Sequence, residues 1–429
     1  MTNPANPASL KQNTAWMLSG EVARLGIQAV YFIMMARNLG PGQYGAFVAV
    51  TAAAALVSPF VGLGAGNLMV KNVARDRNLF GECWGNSLFT VSISGLTLVA
   101  VVLGASLLLL PPSIPLSAMI FIVAAEVLLA PFVLVAVYAF QSMERMRWMA
   151  SLNVFACFTR LLAIATIVAL HQPTLMAWSV AYLVTAAVSA AAALTAVACQ
   201  IGKPALCLRR IRTDFREGLY FSTGLSAQTI YNDIDKTMLA RLSTLDAVGI
   251  YAAAYRLIDV AFIPVRSLMA AAYPGFFRSG KAGIAGSMAY GRRLMKKSVA
   301  YSIGIAAAML LLAPLVPHIL GNQYARTSEA LRWLALLPLL KSIHYFGADS
   351  LTCAGYQWLR TLAQMAIAAF NVLINLWIIP AYSWRGAAWS SLASDGMLAV
   401  ILWSCALFIA RSEARIPLYA QTLAVGEGD

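Results

Sequence analysis

The sequence predicts an all-α membrane protein: about twelve transmembrane helices in two six-helix bundles, related by a pseudo-two-fold axis along the membrane normal. Three observations carry that expectation. The 429-residue chain is 60% hydrophobic and only 11% charged, whereas a soluble domain has roughly 25% charged residues. Twelve apolar stretches recur, each near the roughly 20 residues that a helix needs to cross about 30 Å of hydrocarbon. Lysine and arginine gather in every second gap between those stretches.

The spans are expected at 14–36, 44–64, 84–109, 116–140, 149–170, 174–199, 217–240, 247–274, 297–318, 328–352, 358–379 and 386–410. The first holds Glu21 and Arg24 and has no basic run ahead of it, so it is not expected to be a cleaved signal peptide. It leaves the membrane as Ala36-Arg37-Asn38-Leu39-Gly40, and the second re-enters at Tyr44-Gly45-Ala46-Phe47. Short outward turns follow the third span (Pro111 to Pro115) and the fifth (His171 to Pro173). The basic stretch Gln200 to Arg216 then separates six spans from six. The seventh span leaves as Leu239-Ala240-Arg241-Leu242-Ser243, and the eighth enters at Val248-Gly249-Ile250-Tyr251. An Ala-Arg exit and a Gly-aromatic re-entry thus occur in each half, which is the mark of a parallel repeat. The expected organisation is a bundle over 1–200, a basic cytoplasmic linker over 201–216, a second bundle over 217–410 and a loosely ordered cytoplasmic tail over 411–429.

Orientation follows from charge. Twenty lysines and arginines fall in one set of alternating gaps and four (Arg37, Arg241, Arg326 and Arg385) in the other. The positive-inside rule then places both termini in the cytoplasm, and the chain is expected as a multi-pass protein of the cytoplasmic (inner) membrane. The net charge of +14 needs no nucleic-acid partner, because the excess sits in short loops facing anionic lipid.

Charge inside a span is rare and faces a bundle interior or a water-filled cavity. The first span carries Glu21, Arg24, Gln28 and Tyr31, whose spacing shares one helical face. The seventh has Ser222, Ser226, Thr229, Asp233 and Lys236, with Asp235 beside them. The eighth has Arg256, Asp259 and Arg266, and the eleventh Gln364, Asn371 and Asn375. These stripes predict a polar central cavity lined by the first, seventh and eighth helices, with Arg24, Arg266, Arg256 and Lys236 as its cations. Glu21–Arg24 and Arg256–Asp259 are also i,i+3 neighbours, so mutual neutralisation is the competing account. Glu126, Arg160, Arg332, Lys341, Asp349 and Asp395 lie in or near spans without stripes, and are assigned to helix pairing or snorkelling. His344 reads as a packed core residue.

The six cysteines show no metal-ligand spacing, no Walker motif is present, and no catalytic constellation emerges. The expectation is a carrier without a metal or cofactor, and not an enzyme.

The stretch Ala36 to Pro41 with Tyr44-Gly45 resembles the first loop of bacterial polysaccharide-export flippases. These include the O-antigen and exopolysaccharide repeat-unit flippases of the multidrug/oligosaccharidyl-lipid/polysaccharide exporter superfamily. So does Asp233 to Tyr255, with Asp235-Lys236, Met238-Leu239 and Ala253-Ala254-Tyr255-Arg256, and so does Pro274 closing the eighth span. A third match is Asn371, Asn375-Leu376, Ile379-Pro380 and Gly386-Ala387-Ala388. The resemblance implies two six-helix lobes around a cationic cavity. Its implied cargo is a polyprenyl-pyrophosphate-linked oligosaccharide, moved to the outer leaflet, with polysaccharide polymerase and assembly proteins as further partners. Lipid II flippases of the superfamily usually have two more helices, which makes the murein precursor a poorer fit.

Arginine suits such a cargo, because a guanidinium grips phosphate bidentately and stays charged when desolvated. Coupling to H⁺ or Na⁺ would fall to Asp233, Asp235 or Asp259. Two alternatives stand beside the flippase: a cation-coupled drug antiporter of the same superfamily, and a membrane-embedded glycosyltransferase or polymerase.

Overall fold

The structure, a computed structural model, describes residues 7–280 and 283–426. Lys281, the residues after Gly426, and the side chains of Lys11, Arg210, Arg212, Arg216, Pro274 and Arg415 lie outside the described residues. The helices are α1 (Pro7–Val57), α2 (Ala65–Arg75), α3 (Phe80–Leu109), α4 (Leu116–Val123), α5 (Ala130–Ser142), α6 (Met146–Ala169), α7 (Leu175–Gln200) and α8 (Leu208–Leu242). They continue as α9 (Leu245–Ala261), α10 (Ile263–Gly280), α11 (Ile284–Leu312), α12 (Val316–Leu320), α13 (Ala325–Leu334), α14 (Leu337–Cys353), α15 (Gln357–Tyr382) and α16 (Trp384–Gly426). No strand occurs among the described residues, and the chain is an all-α membrane protein.

By length and composition eight helical segments are fit to cross a bilayer, or nine when α9 and α10, bent by 47°, count as one. The difference from twelve has physical causes. α1 holds two spans, because it breaks at Gly40. α8 carries too much charge to pass on hydropathy, and α14 has 17 residues with Lys341 and Asp349 among them. Apolar side chains point outward along the segments that do pass: Leu311 is 78% and Trp377 82% exposed. Such a surface is stable only against lipid.

The described residues pack as two compact units. The first comprises Met1–Gly249 with Ile319–Gln323, and the second Ile250–His318 with Tyr324–Asp429. The seventh span, α8, therefore packs with the first unit, where it lies against α1.

In the first unit the break in α1 is chemically complete. Gly40 adopts φ +74°, a left-handed conformation that favours glycine, and Pro41 restarts the helix with its fixed φ. Proline has no N–H for the carbonyl of Arg37 four residues back. The side-chain amide of Gln323 donates to that carbonyl instead, at 3.0 Å, which ties Ile319–Gln323 to this unit. Just beyond, the restarted helix meets the start of α9. A Cβ added at Gly45 would lie 1.8 Å from the carbonyl oxygen of Leu245, and one at Gly249 2.0 Å from that of Pro41. Each glycine receives the backbone four residues before the other. The Thr244 hydroxyl caps α9 by accepting from the N–H of Ala247 at 3.2 Å.

The core of this unit gathers Met69, Val73, Trp84, Val135, Phe140 and Val197. Residues 201–207 are not a free linker. Asn86 of α3 donates to the carbonyl of Cys207 at 3.0 Å and accepts from its N–H at 2.9 Å, and α8 starts at Leu208.

In the second unit, α14 packs against α10, α11, α15 and α16. Serines bind it to α11: Ser298 donates to Ser342 at 3.0 Å, and Ser287 to the carbonyl of Ser350 at 3.1 Å. The Trp403 indole of α16 donates to the carbonyl of Ile343 at 2.9 Å. Two boundaries differ from expectation. α11 begins at Ile284 rather than 297, because a helix whose Arg292, Arg293, Lys296 and Lys297 are exposed extends beyond the apolar stretch. α16 continues past Arg411 to Gly426, where a loosely ordered tail is expected. Glu413 on that extension accepts from the N–H of Ile284 at 3.1 Å and from the Tyr356 hydroxyl at 3.0 Å. The Tyr356 phenol is held above its ordinary pKa by that hydrogen bond.

Candidate functional site

The polar stripe of α1 survives in the structure as a partly open face. Arg24 and Glu21 form a two-contact ion pair, with Nε donating to Oε2 at 3.0 Å. The i,i+3 spacing puts them on adjacent turns. Both remain accessible, Arg24 less so than Glu21. Tyr31, two turns on, donates to the Met35 sulfur at 3.3 Å and lies 5.5 Å, ring to ring, from Trp178. Gln28 is half-buried on the same helix.

On α8, Ser222 and Ser226 are buried. Lys236 donates to Asp233 at 2.5 Å and to the carbonyl of Asn232 at 3.3 Å. Asp235 accepts from the backbone N–H of Lys236 at 2.7 Å and is 2% exposed, so it is an interior carboxylate rather than a surface one. Glu21–Arg24 and Asp233–Lys236 are thus two opposite-charge pairs on helices that pack together in the first unit.

In the second unit the competing account, a pairing of Arg256 with Asp259 on α9, is not met. Arg256 and Asp259 are half-buried, and no ion pair joins them among the described residues. Arg266 instead donates to the backbone carbonyl of Asp259 at 2.7 Å. The reason lies in the 47° bend between α9 and α10. Pro264 has no N–H to continue the ladder, and Arg266 in the first turn of α10 reaches back across the break.

Asn371 and Asn375 are fully enclosed, knitting α15 to α16. Asn371 donates to Ser394 at 2.9 Å, Asn375 to Asn371 at 2.9 Å, and Ser390 to Asn375 at 2.5 Å. Their polarity is satisfied within the unit.

Two buried clusters escape the stripe argument. In the first unit Glu126 sits on a π-helical turn, Ala124–Leu129, and accepts a hydrogen bond from Tyr182. The Arg160 guanidinium lies 4.7 Å from the centre of the Tyr182 ring. Single π turns are frequent at functional sites. In the second unit His344 Nε2 lies 3.1 Å from Asp395 Oδ1, Lys341 lies over the Tyr255 ring at 4.9 Å, and Arg360 pairs with Asp349 at 3.4 Å. Each partnership crosses between helices, so periodicity along one helix gives no sign of it.

No curated protein sequence matches the chain. Solved structures do match its fold. A multidrug resistance MATE family transporter of the MOP superfamily, in an inward-facing conformation, superposes with TM-score 0.73 at 14% identity, covering 92% of this chain and 99% of its own. The lipid II flippase MurJ, in an inward closed conformation, also gives 0.73, at 10% identity, covering 91% and 86%. A MOP superfamily transporter from Pyrococcus furiosus gives 0.61 at 14% identity, covering 95% and 98%. These likenesses establish that the chain shares the fold of those proteins and nothing finer. The family model described as polysaccharide biosynthesis protein matches residues 10–279, well over half the sequence. The chain belongs to that polysaccharide biosynthesis protein family.

Proposed function

We propose that this protein moves polyprenyl-pyrophosphate-linked oligosaccharide repeat units across the cytoplasmic membrane, by alternating access, for synthesis of an O-antigen, capsule or exopolysaccharide. The observation that carries this reading is the presence of Arg24, Lys236, Arg256 and Arg266 on span helices inside the segment that the family model matches. A pyrophosphate offers these cations charge and acceptors together, and polar side chains such as Gln28, Tyr31 and Ser226 suit a sugar chain. The polyprenyl tail stays in lipid, and the step needs no bond made or broken. Polysaccharide polymerase and assembly proteins are the natural partners.

Reconstitution tests the reading. Proteoliposomes holding the purified protein should carry a fluorescent polyprenyl-pyrophosphate saccharide between leaflets and leave a lipophilic dye cation unmoved. The drug antiporter is the second reading, because the fold likeness to a multidrug transporter is as extensive as that to a flippase. Movement of the cation without the lipid would establish it.

The proposed topology has both termini cytoplasmic and the two six-span halves joined over 201–216. Reporter fusions after Gly202 and Gly280 should report cytoplasm, and one after His171 the exterior. A swapped signal at any of the three would overturn the orientation.

Coupling of the carrier to H⁺ or Na⁺ is proposed to involve Asp233, Asp235 or Asp259. Asparagine at each removes charge and nearly keeps shape. At least one variant should make transport indifferent to collapse of the ion gradient. Three variants that respond as wild type does would move coupling elsewhere.

A further inference from the structure

The geometry points to a proton-binding site inside the second unit, formed by His344 of α14 and Asp395 of α16, whose loading and emptying acts in series with the carboxylate proposed above in coupling the carrier to the proton gradient. The coupling part rests on the transport reading above; the binding site itself does not.

The pair is enclosed. His344 is 2% exposed and Asp395 1%, with Nε2 and Oδ1 at 3.1 Å. The two atoms are close without being aligned as a hydrogen bond to each other, so a proton resides on the imidazole or on the carboxyl, and a second can be added or the first lost. A buried carboxylate away from compensating charge carries a heavy desolvation penalty, so the surrounding charges decide which states are reached.

Those charges are few. On α14 itself Lys341 precedes His344 by one turn, buried with its ammonium over Tyr255 of α9. Asp349 lies further along α14 and is matched by Arg360 of α15. The cations whose field reaches the imidazole are Lys341 and Arg360. From α11 the facing groups are the neutral hydroxyls of Ser298 and Ser302, both bonded to Ser342. The cations of α11 are exposed, and Arg292 lies over Trp403. α10 brings Tyr273, Arg278 and Arg266, all exposed, and the last reaches the carbonyl of Asp259. α16 contributes Asp395, with Glu413 far along the helix on Tyr356 and Ile284.

Counting charge shows what the cluster does. Arg360 and Asp349 cancel. With His344 neutral and Asp395 ionised, the cluster counted together with Lys341 carries no net charge. One added proton leaves it at a single positive charge. The two states differ by one proton. A core histidine without a carboxylate partner would lack this pair of states.

The same donor set disfavours sodium. It offers one nitrogen and one carboxylate beside an ammonium, whereas a hard cation takes a shell of oxygens. Among the described residues no three His, Cys, Asp or Glu side chains converge as a metal site.

Infrared difference spectroscopy on the full-length carrier in nanodiscs, stepped through pH, tests the site without any cargo. Wild type should show a protonated-carboxyl band that titrates. Asp395→Asn should remove that band, and His344→Gln should shift its midpoint by about one pH unit or more. Persistence of the full band in Asp395→Asn, or an unmoved midpoint in His344→Gln, would overturn the site, as would a band that answers sodium at fixed pH. In proteoliposomes, collapse of the proton gradient should slow wild type and leave Asp395→Asn unaffected. A gradient response like that of wild type in this variant would overturn the coupling. If the band behaves as expected while wild type moves no lipid-linked saccharide, the site stands and the proposed cargo falls.

Discussion

Gly249→Leu is expected to leave almost no folded carrier in the membrane. Its added Cβ would start 2.0 Å from the backbone oxygen of Pro41, and the rest of the leucine has nowhere to go. Overpacking an ordinary core costs about 1–3 kcal/mol, where side chains can shift. Here the obstacle is backbone on a helix whose first residue is a proline, so relief requires moving the whole segment and the cost exceeds that range. Even Gly249→Ala and Gly45→Ala should lower the melting temperature in detergent, since Cβ alone is the clash. Gly104→Ala is the control: nothing lies within 4 Å of its Cβ, and helix propensity predicts a gain of up to about 1 kcal/mol. The measurement is membrane abundance by size-exclusion fluorescence, followed by thermal unfolding. Wild-type abundance and melting for Gly249→Leu would refute the close crossing.

Arg24→Ala should abolish polymer export while leaving the protein abundant and correctly inserted. Arg24 is partly accessible and already charge-paired, so its loss opens no cavity. A hydrogen bond to a charged group contributes about 1.5–3 kcal/mol, which puts the loss of cargo affinity at roughly tenfold to a hundredfold. Lysine should restore only part of it, because an ammonium cannot form the two-pronged contact. The competing account is that Arg24 merely neutralises Glu21. A double-mutant cycle separates the two: Glu21→Gln with Arg24→Gln should remain dead if the guanidinium holds cargo. Recovery of export in the double variant would sink the assignment.

The spans were legible because lipid imposes a single rule on every residue that crosses it. α8 and α14, which fall short on hydropathy or length, were still identifiable from their apolar faces and the loop charges on either side. Hydropathy was silent where helices run into water, as with the basic start of α11 and the extension of α16 beyond Arg411, since it measures burial in lipid and not backbone conformation. Within a helix, i,i+3 spacing located Glu21–Arg24, and the polar stripe of α8 placed Asp233 and Lys236 on one face. For Arg256–Asp259 spacing permits a pair without requiring one, and no ion pair joins them among the described residues. The partners of Glu126, Arg160, His344 and Asp395 belong to other helices, and neither composition nor period states which helices meet. The Gly-aromatic re-entry was visible as a repeat, but that its two glycines touch each other was not.

That contact has a bearing on ancestry. In it, residue 45 meets the residue four before 249, and residue 249 meets the residue four before 45. An arrangement that reads the same from either side is isologous, the pattern by which identical subunits join in a closed dimer. A chain of half this length bearing one copy of the motif would hold both sides of the junction, and two such chains would be complementary without any new surface.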